Sequence, residues 1–362
     1  MPYERANISA LSAYVSGEQP EDPRTIKLNT NESPYPPSPT VNEAIGRVTG
    51  EQLRRYPPPT AAAFRQAAAE VHGVTPDQII ATNAGDELLR LALTVFTDPT
   101  DSGRGIAVAE PTYTLYRVLA GIHGTPVVSE PLTDDFGLPS GWEERLADAG
   151  IGIAFVVNPH APSGRLESLD RLRSVAEALR GRGLLLVDEA YVDFSGQSAL
   201  PLVREDSGLD NVLILRTLSK GYGLAGLRFG YGIGHADLIA SMNKAKDSFN
   251  TDLLAQVAAE AAIRDQSYAR ETWDRVIEQR AVLSGSLRSR GFEVPDSHAN
   301  FVLARVPHGA SARELYERLK AEGILVRYFD QDRLRDRLRI TVGTPEQNQT
   351  LLEALDRLLQ PA

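Results

Sequence analysis

The sequence predicts an α/β fold, with a large domain built on a mostly parallel sheet that helices cover on both faces, and a smaller α/β domain. Three observations support this prediction. The chain has 362 residues, which is more than a single hydrophobic core normally serves. Helical and strand patterns alternate from about residue 40 to 240. The apolar runs in that region are short and do not alternate with polar residues, as in strands buried on both faces.

Three such runs, at residues 151–157, 184–187 and 212–215, are each followed at once by polar residues. The residues that follow are Asn158, Asp188 and the segment 217–220. Ligands of open α/β sheets bind outside the carboxyl ends of the strands, so these polar residues lie where a site is expected.

Helices and strands are also predicted outside this region. A helix at 61–71 ends at Gly73, and a long helical stretch covers roughly 252–290. The C-terminal part alternates again, with strands at 300–304, 324–328 and 338–342 and helices at 312–322 and 345–359. We therefore expect an N-terminal arm that contributes to the small domain and the site, a large cofactor-binding domain, a connecting long helix, and a C-terminal small domain, with boundaries at 1–40, 41–250, 251–290 and 291–362.

Composition excludes several classes of function. The net charge of −10 disfavours nucleic acid and anionic membranes as main partners, because either would require a basic surface. The chain has no cysteine, and its six histidines lack metal-ligand spacing, so no metal site is expected. No apolar run of about eighteen residues and no apolar leader occur, which predicts a cytoplasmic protein.

The segment LRTLSKGYGLAGLRFGYG contains one misleading motif. Gly221, Gly223 and Gly226 match the G-x-G-x-x-G pattern of dinucleotide-binding turns. That pattern belongs in the first strand-turn-helix unit of a dinucleotide fold, whereas this match lies more than 200 residues into the chain. A nicotinamide or flavin enzyme is therefore a poor interpretation.

The requirements of pyridoxal phosphate give a better account of the same residues. Lys220 can form a Schiff base with the cofactor, and Asp188, at the end of a buried strand, can pair with a protonated pyridine nitrogen. Tyr191 and Asn158 can donate to the ring oxygen, and Tyr113 can stack on the ring. Each residue alone has an ordinary structural explanation, such as a solvated lysine, a helix-capping acid or a core aromatic residue.

A phosphate cup is predicted beside the same strands. Ala84, Gly85 and Asp86 open a helix, whose first N–H groups can bind an anion. Arg228 can add a fixed positive charge and also depress the pKa of Lys220. The hydroxyl groups of two further residues can assist, those of Thr217 and Ser219.

These motifs, which run in order from about residue 28 to 344, resemble the fold-type I aminotransferases, and within them the histidinol-phosphate aminotransferase family. The resemblance rests on LNTNESPYPPSP, RYPPP, TNAGDELL, EPTYTLY, NPHAPSG, VDEAYVDF, LRTLSKGYGLAGLRFGYG, ANFVL, ILVRYF and LRITVGT. It implies the cofactor roles just given, with Lys220 also shuttling the proton. It further implies a homodimer in which Tyr56 reaches the cofactor phosphate of the partner subunit.

The resemblance also implies a substrate. Arg339 would bind a substrate carboxylate, while Tyr14 and Arg327 would help to hold a substrate phosphate. The implied reaction is ping-pong transamination of L-histidinol phosphate with 2-oxoglutarate, giving imidazole acetol phosphate and glutamate, a step of histidine biosynthesis. An alternative explanation for Arg327 and Arg339 is surface ion pairing with the acids of the 330–336 segment.

Departures from the family pattern leave other substrates open. His160, Ala161 and Ser163 alter the usual NPNNPTG loop, and SKGYG replaces SKAFG. An aromatic-amino-acid aminotransferase or a threonine-phosphate decarboxylase could use the same cofactor site. A catalytically silent cofactor-binding or regulatory protein is a third interpretation, which the retained lysine and the lack of a DNA-binding segment disfavour.

Overall fold

The computed structural model describes residues 3–11, 17–100 and 104–360. Its helices are α1 (Ala6–Ser9), α2 (Pro39–Gly46), α3 (Gly50–Leu53), α4 (Ala62–His72), α5 (Ala84–Phe96), α6 (Leu115–His123), α7 (Trp142–Asp148), α8 (Leu169–Leu179), α9 (Ala236–Ala245), α10 (Leu253–Arg264), α11 (Gln266–Arg288), α12 (Ala312–Ala321) and α13 (Pro345–Leu358). Its strands are β1 (Ile26–Lys27), β2 (Ile79–Asn83), β3 (Gly105–Glu110), β4 (Val127–Pro131), β5 (Ile151–Val157), β6 (Leu184–Asp188), β7 (Val212–Thr217), β8 (Phe229–Gly234), β9 (Phe301–Arg305), β10 (Ile324–Leu325), β11 (Arg327–Tyr328) and β12 (Arg337–Thr341).

The central sheet has seven strands in the order β2-β8-β7-β6-β5-β3-β4. The pairs among β7, β6, β5, β3 and β4 are parallel, whereas β8 is antiparallel to both of its neighbours. The predicted mostly parallel sheet is therefore confirmed, and the three predicted apolar runs are the central strands β5, β6 and β7.

Both faces of this sheet are buried. Successive residues of a strand point to opposite faces, and accordingly Leu186 and Leu213 pack into one apolar cluster while Val187 and Ile214 pack into the other. Helices lie over each cluster, so nearly every side chain of β5, β6 and β7 is shielded from water. The strand ends are then the places where polar side chains can meet a ligand.

A third apolar cluster forms around two small sheets near the C-terminus. β9, β12 and β11 form an antiparallel sheet, and β1 from the N-terminal arm pairs in parallel with β10. α11, α12 and α13 contribute side chains to this cluster. The domain boundaries predicted from the sequence stay a prediction.

Two predicted elements are divided in the structure. The helical stretch at 252–290 breaks at Asp265, whose side chain accepts a hydrogen bond from the Tyr268 N–H and so caps the start of α11. The predicted strand at 324–328 is two short strands, because the chain leaves its partner β1 after Leu325 and joins β12 at Arg327. Over the described residues, none of the helices has the length and apolar character needed to cross a membrane.

Candidate active site

Most of the predicted site residues line one cavity of about 770 Å³ at the carboxyl ends of the central strands. The N-terminal arm and the β11–β12 hairpin complete its walls. The predicted residues that line it are Ala84, Gly85, Asp86, Tyr113, Asp188, Tyr191, Thr217, Ser219, Lys220, Arg228, Arg327 and Arg339.

Lys220 lies three residues after β7 and enters the cavity from the strand end. Its Nζ donates a hydrogen bond to the backbone oxygen of Thr30, at 2.8 Å. Burial, and then the charge of Arg339, lower the pKa of Lys220 to about 8. Arg228, the cation expected to do this, contributes less. A larger fraction of the amine is therefore neutral near pH 7 than in an ordinary lysine, which favours nucleophilic attack.

Asp188 is the last residue of β6, and its side chain is buried beside the strand that leads to Lys220. Its Oδ2 accepts a hydrogen bond from the Tyr116 hydroxyl at 2.7 Å, and its Oδ1 accepts one from the Ala190 N–H at 3.1 Å. Burial nevertheless raises the pKa of Asp188 to about 6. A carboxylate in this position is stabilised by a cation, so it suits a protonated ring nitrogen.

Tyr116 is a site residue that the sequence reasoning missed. Its ring stacks on Phe155 with centroids 4.6 Å apart and meets Tyr113 edge-on at 5.6 Å. Its hydroxyl is the side-chain group that donates a hydrogen bond to Asp188. The sequence feature that could have indicated Tyr116 is its spacing of three residues from Tyr113, at the start of a helix that faces the site.

The candidate phosphate cup forms where β2 meets α5. Ala84 adopts a left-handed conformation with φ of 61° and is followed by Gly85 at the helix start. Gly230 of β8 lies against this turn so closely that a Cβ atom would be 2.7 Å from the Ala84 carbonyl carbon and 2.8 Å from the Gly85 nitrogen. The turn is thus packed directly on the sheet, and Ala84 and Gly85 line the cavity.

Charged and hydroxyl groups surround this turn. The Arg228 guanidinium lies 3.6 Å from the Asp86 carboxylate, and both side chains are half exposed. Thr217 donates its hydroxyl hydrogen to the Ser219 hydroxyl at 2.9 Å and accepts a hydrogen bond from the Ser219 N–H at 3.1 Å. One cation, two hydroxyls and a helix start are therefore close together, as an anion site requires.

Arg327 and Arg339 face each other across the antiparallel pair β11–β12. Both guanidinium groups lie over Phe329, at 5.2 and 5.4 Å from the ring centroid, and Arg339 also donates to the backbone oxygen of Asn29 at 3.0 Å. The acids suspected of pairing with them are bound to other arginines: Asp330 to Arg313 and Arg335, Asp332 to Arg335, and Asp336 to Arg305 and Arg337. Two arginines are thus presented to the cavity.

Two predicted site residues of the described chain, Asn158 and Tyr56, do not line the cavity. Asn158 is buried next to it, but its side chain is occupied by the Glu167 backbone, accepting from the N–H at 2.8 Å and donating to the oxygen at 3.3 Å. Tyr56 is 82% exposed and stacks on Phe249. Tyr14 lies outside the described residues. Their roles stay predictions.

The unusual loop at 158–164 is held by its histidine. His160 Nε2 is 3.0 Å from the Pro111 backbone oxygen, which can only accept, and its Nδ1 is 2.7 Å from the Ser163 hydroxyl. Nδ1 of the neutral ring therefore accepts from Ser163. Burial lowers the pKa of His160 to about 4, in keeping with a neutral ring. Ala161 lines the cavity.

Within the described part of the chain, no side chains at the site form a candidate metal centre. Over residues 3–11, 17–100 and 104–360, no group of three or more histidine, aspartate or glutamate side chains is arranged to hold an ion. The residues that line the cavity include a buried amine, a buried acid and several anion-binding groups.

Comparison with known proteins agrees with this arrangement. Residues 23–355 match the family model described as aminotransferase class I and II. The chain is 45% identical over 359 residues to histidinol-phosphate aminotransferase 1 of Trichormus variabilis, covering 99% of each chain. It is 41% identical over 351 residues to histidinol-phosphate aminotransferase of Pseudomonas putida, covering 96% of this chain and 97% of the relative.

Solved structures share the fold. The histidinol-phosphate aminotransferase of Sinorhizobium meliloti, solved in complex with pyridoxal-5'-phosphate, matches with a TM-score of 0.87 and 25% identity, over 99% of both chains. A match to most of the chain, together with full-length relatives above 40% identity, decides the family: this chain belongs to the class I and II aminotransferases.

Proposed function

We propose that this enzyme uses pyridoxal 5'-phosphate to transfer the amino group of L-histidinol phosphate to 2-oxoglutarate, giving imidazole acetol phosphate and glutamate, a step of histidine biosynthesis. The observation that carries the proposal is that Lys220 and Asp188 share one cavity with two arginines on facing strands, Arg327 and Arg339. The full-length relatives named histidinol-phosphate aminotransferase support the choice of substrate.

The residues present fit the cofactor. Asp188 is a buried carboxylate whose pKa is raised to about 6, so a neighbouring cation such as a pyridinium nitrogen would stabilise its charged form. The Ala84–Gly85 turn, against which Gly230 leaves no space for a side chain, presents its backbone to the cavity beside Arg228. When bound, the cofactor supplies an electron sink for the carbanion left by loss of the substrate's α-proton.

The chain's own groups have complementary tasks in this proposal. Lys220 would hold the cofactor through its Nζ, and the same amine, when free, would take up and deliver the proton that leaves the substrate's α-carbon. Asp188 keeps the ring nitrogen protonated. Tyr191 donates a hydrogen bond to the ring oxygen, and Tyr113 covers the ring face. We propose the same ring-oxygen contact for Asn158, which would have to exchange its Glu167 partner.

The two arginines explain how one pocket can serve both substrates. Histidinol phosphate carries a phosphate but no carboxylate, whereas glutamate carries two carboxylates and no phosphate. A guanidinium group binds either anion in bidentate geometry, and Arg327 and Arg339 are preorganised by their shared contact with Phe329. Tyr14 is proposed as a further contact for the substrate phosphate.

We also propose a cytoplasmic homodimer in which Tyr56 reaches the partner subunit's cofactor phosphate. The exposure of Tyr56, which is held by Phe249 in an accessible position, supports this arrangement. Phe249 itself is 40% exposed and has a left-handed backbone conformation, with φ of 58°. An exposed aromatic pair of this kind is typical of a protein interface.

The proposal is tested with single amino donors. The purified enzyme is mixed with histidinol phosphate, phenylalanine, tyrosine or threonine phosphate, and conversion of the cofactor to its amine form is followed by absorbance. Histidinol phosphate should react fastest with retention of all its carbon atoms. If phenylalanine or tyrosine reacts as fast, or if threonine phosphate loses carbon dioxide, the proposed substrate is wrong.

A substitution tests the role of Lys220. Lys220→Ala should abolish turnover and the borohydride-reducible linkage between protein and cofactor, while circular dichroism remains that of the unaltered protein. Retention of either turnover or the reducible linkage would show that another residue holds the cofactor.

A further inference from the structure

Asn31 is a buried residue of the N-terminal arm that none of the proposed roles includes. It is 1% exposed, borders the cavity, and has a left-handed backbone conformation with φ of 56°. Asparagine tolerates this conformation better than most side chains. The backbone oxygen of Asn31 accepts a hydrogen bond from Asn300 at 3.0 Å, so the residue is held between the arm and the C-terminal sheet.

Thr341 of β12 determines which way the Asn31 amide group points. The Thr341 hydroxyl oxygen accepts a hydrogen bond from the Asn31 backbone N–H at 3.0 Å. Its single hydrogen is then available for the Asn31 side-chain oxygen, which lies 3.1 Å away. With the Thr341 hydroxyl donating to the amide oxygen, that oxygen faces Thr341 and the amide NH₂ group faces the opposite direction.

The NH₂ group consequently points at Tyr191. Asn31 Nδ2 donates to the Tyr191 hydroxyl oxygen at 3.0 Å. That contact occupies one acceptor position of the phenol and directs the phenol's own hydrogen away from Asn31. The Tyr191 ring is held from another side by Phe301, edge-on at 5.1 Å. Both the ring position and the direction of its O–H bond are therefore constrained.

We infer that Asn31 is a positioning residue, which aims the hydroxyl hydrogen of Tyr191 into the cavity through the chain Thr341–Asn31–Tyr191. The inference rests on the proposed role of Tyr191 as a donor to the cofactor's ring oxygen. β12, which carries Thr341, also carries Arg339, and Arg339 is bonded to Asn29 of the same arm segment. The arm therefore links β12, which carries Arg339, to the Tyr191 ring through hydrogen bonds.

The test uses Asn31→Asp, which preserves shape and the acceptor for Thr341 but replaces the NH₂ donor with an acceptor. The Tyr191 hydrogen would then turn toward the introduced carboxylate instead of the cavity. Losing a hydrogen bond to the cofactor's ring oxygen makes that oxygen more basic. The midpoint of the pH titration, followed by the absorbance of the bound cofactor, should accordingly rise by about one pH unit.

A double-substitution cycle separates this effect from the added negative charge. The titration is measured for Asn31→Asp, for Tyr191→Phe and for the pair. If Asn31 acts through Tyr191, the pair should match Tyr191→Phe more closely than the sum of the two single shifts. Asn29→Asp is the matched control, because it places a negative charge two residues away on the same segment. The change that it causes in the titration midpoint should add to the change caused by Tyr191→Phe.

The outcomes distinguish the inference from the proposed function. Additive shifts for Asn31→Asp and Tyr191→Phe would overturn the role of Asn31 and leave that of Tyr191 intact. No shift with Tyr191→Phe would overturn both, whereas the substrate proposal is decided separately by the amino-donor assay. If Asn31→Asp does not fold, Thr341→Val replaces it in the cycle, since it removes the hydroxyl that orients the amide.

Discussion

At the scale of single residues, the charge state of the acid in the candidate site depends on its hydrogen bonds. Burial raises the pKa of Asp188, and the Tyr116 hydroxyl is the largest influence acting in the opposite direction. The Tyr116 phenol is itself fully surrounded by protein, so its hydrogen bond is made in a medium of low polarity. The charge state of Asp188 is thus set by a balance between desolvation and two hydrogen bonds, of which the one from Tyr116 has a larger effect than the one from the Ala190 N–H.

Tyr116→Phe should therefore weaken cofactor binding. Removing the donor raises the pKa of Asp188 above its present value of about 6, so that more of it is protonated and unable to pair with a pyridinium nitrogen. We expect a loss of affinity of about tenfold or more, the usual contribution of a hydrogen bond to a charged group. The loss should be greater at pH 6 than at pH 8, because the acid is more often protonated at the lower pH.

The measurement is a titration of the apoprotein with pyridoxal phosphate at both pH values. Tyr231→Phe is the matched control, since Tyr231 belongs to the other apolar cluster and its buried hydroxyl contacts His72. A Tyr116→Phe protein that binds the cofactor as tightly as the control would contradict the assigned role of this contact.

At the scale of secondary-structure elements, the start of α5 is shaped by the strand beneath it. Ala84 takes a left-handed conformation, which costs an L-residue roughly 1–2 kcal/mol. β8 can approach this turn because Gly230 has no side chain, and its neighbour Gly232 likewise lies close to Leu88 of α5. The helix start is thereby positioned at the cavity.

Gly230→Ala should disturb this packing. Its Cβ would come within 2.8 Å of the Gly85 nitrogen, so the α5 start must move. We expect the free energy of unfolding to fall by about 1–3 kcal/mol, the usual cost of overpacking, and cofactor affinity to fall as well. Gly285→Ala in α11 is the control, because that Cβ meets nothing within 4 Å and should stabilise the helix. Urea unfolding and cofactor titration of both variants check the prediction. A Gly230→Ala protein as stable as the Gly285→Ala protein would refute it.

At the scale of the whole molecule, we propose that a second subunit completes the site. Tyr56 is 82% exposed and does not line the cavity of its own subunit, and its ring stacks on Phe249. In a two-fold symmetric dimer, each Tyr56 would reach across to the other site, and two complete sites would form.

Mixed dimers test this geometry. One subunit carries Lys220→Ala and the other Tyr56→Phe, with different affinity tags, and activity is measured at limiting cofactor. If Tyr56 acts across the interface, the hybrid has one complete site and should reach about half of the unaltered activity. If Tyr56 acts within its own subunit, neither site is complete and the hybrid should be no more active than the Tyr56→Phe dimer.

Much of the molecule follows from local sequence patterns. The apolar runs locate β5, β6 and β7 to within two residues, because a strand buried on both faces requires an uninterrupted apolar stretch. Since the ends of parallel strands share one edge, the residues after those strands were also expected to meet. Lys220 and Asp188 do line the same cavity.

Other features were decided only by the tertiary structure. Tyr116 is 72 residues from Asp188, and Asn31 is 160 residues from Tyr191, so no local pattern couples them. The division of the 324–328 strand depends on which neighbour each half meets, and Asn158 finds its partners in the loop that ends at Glu167. Sequence patterns determine which groups come to the sheet edge, whereas a hydrogen bond requires a distance and a direction that only the folded chain supplies.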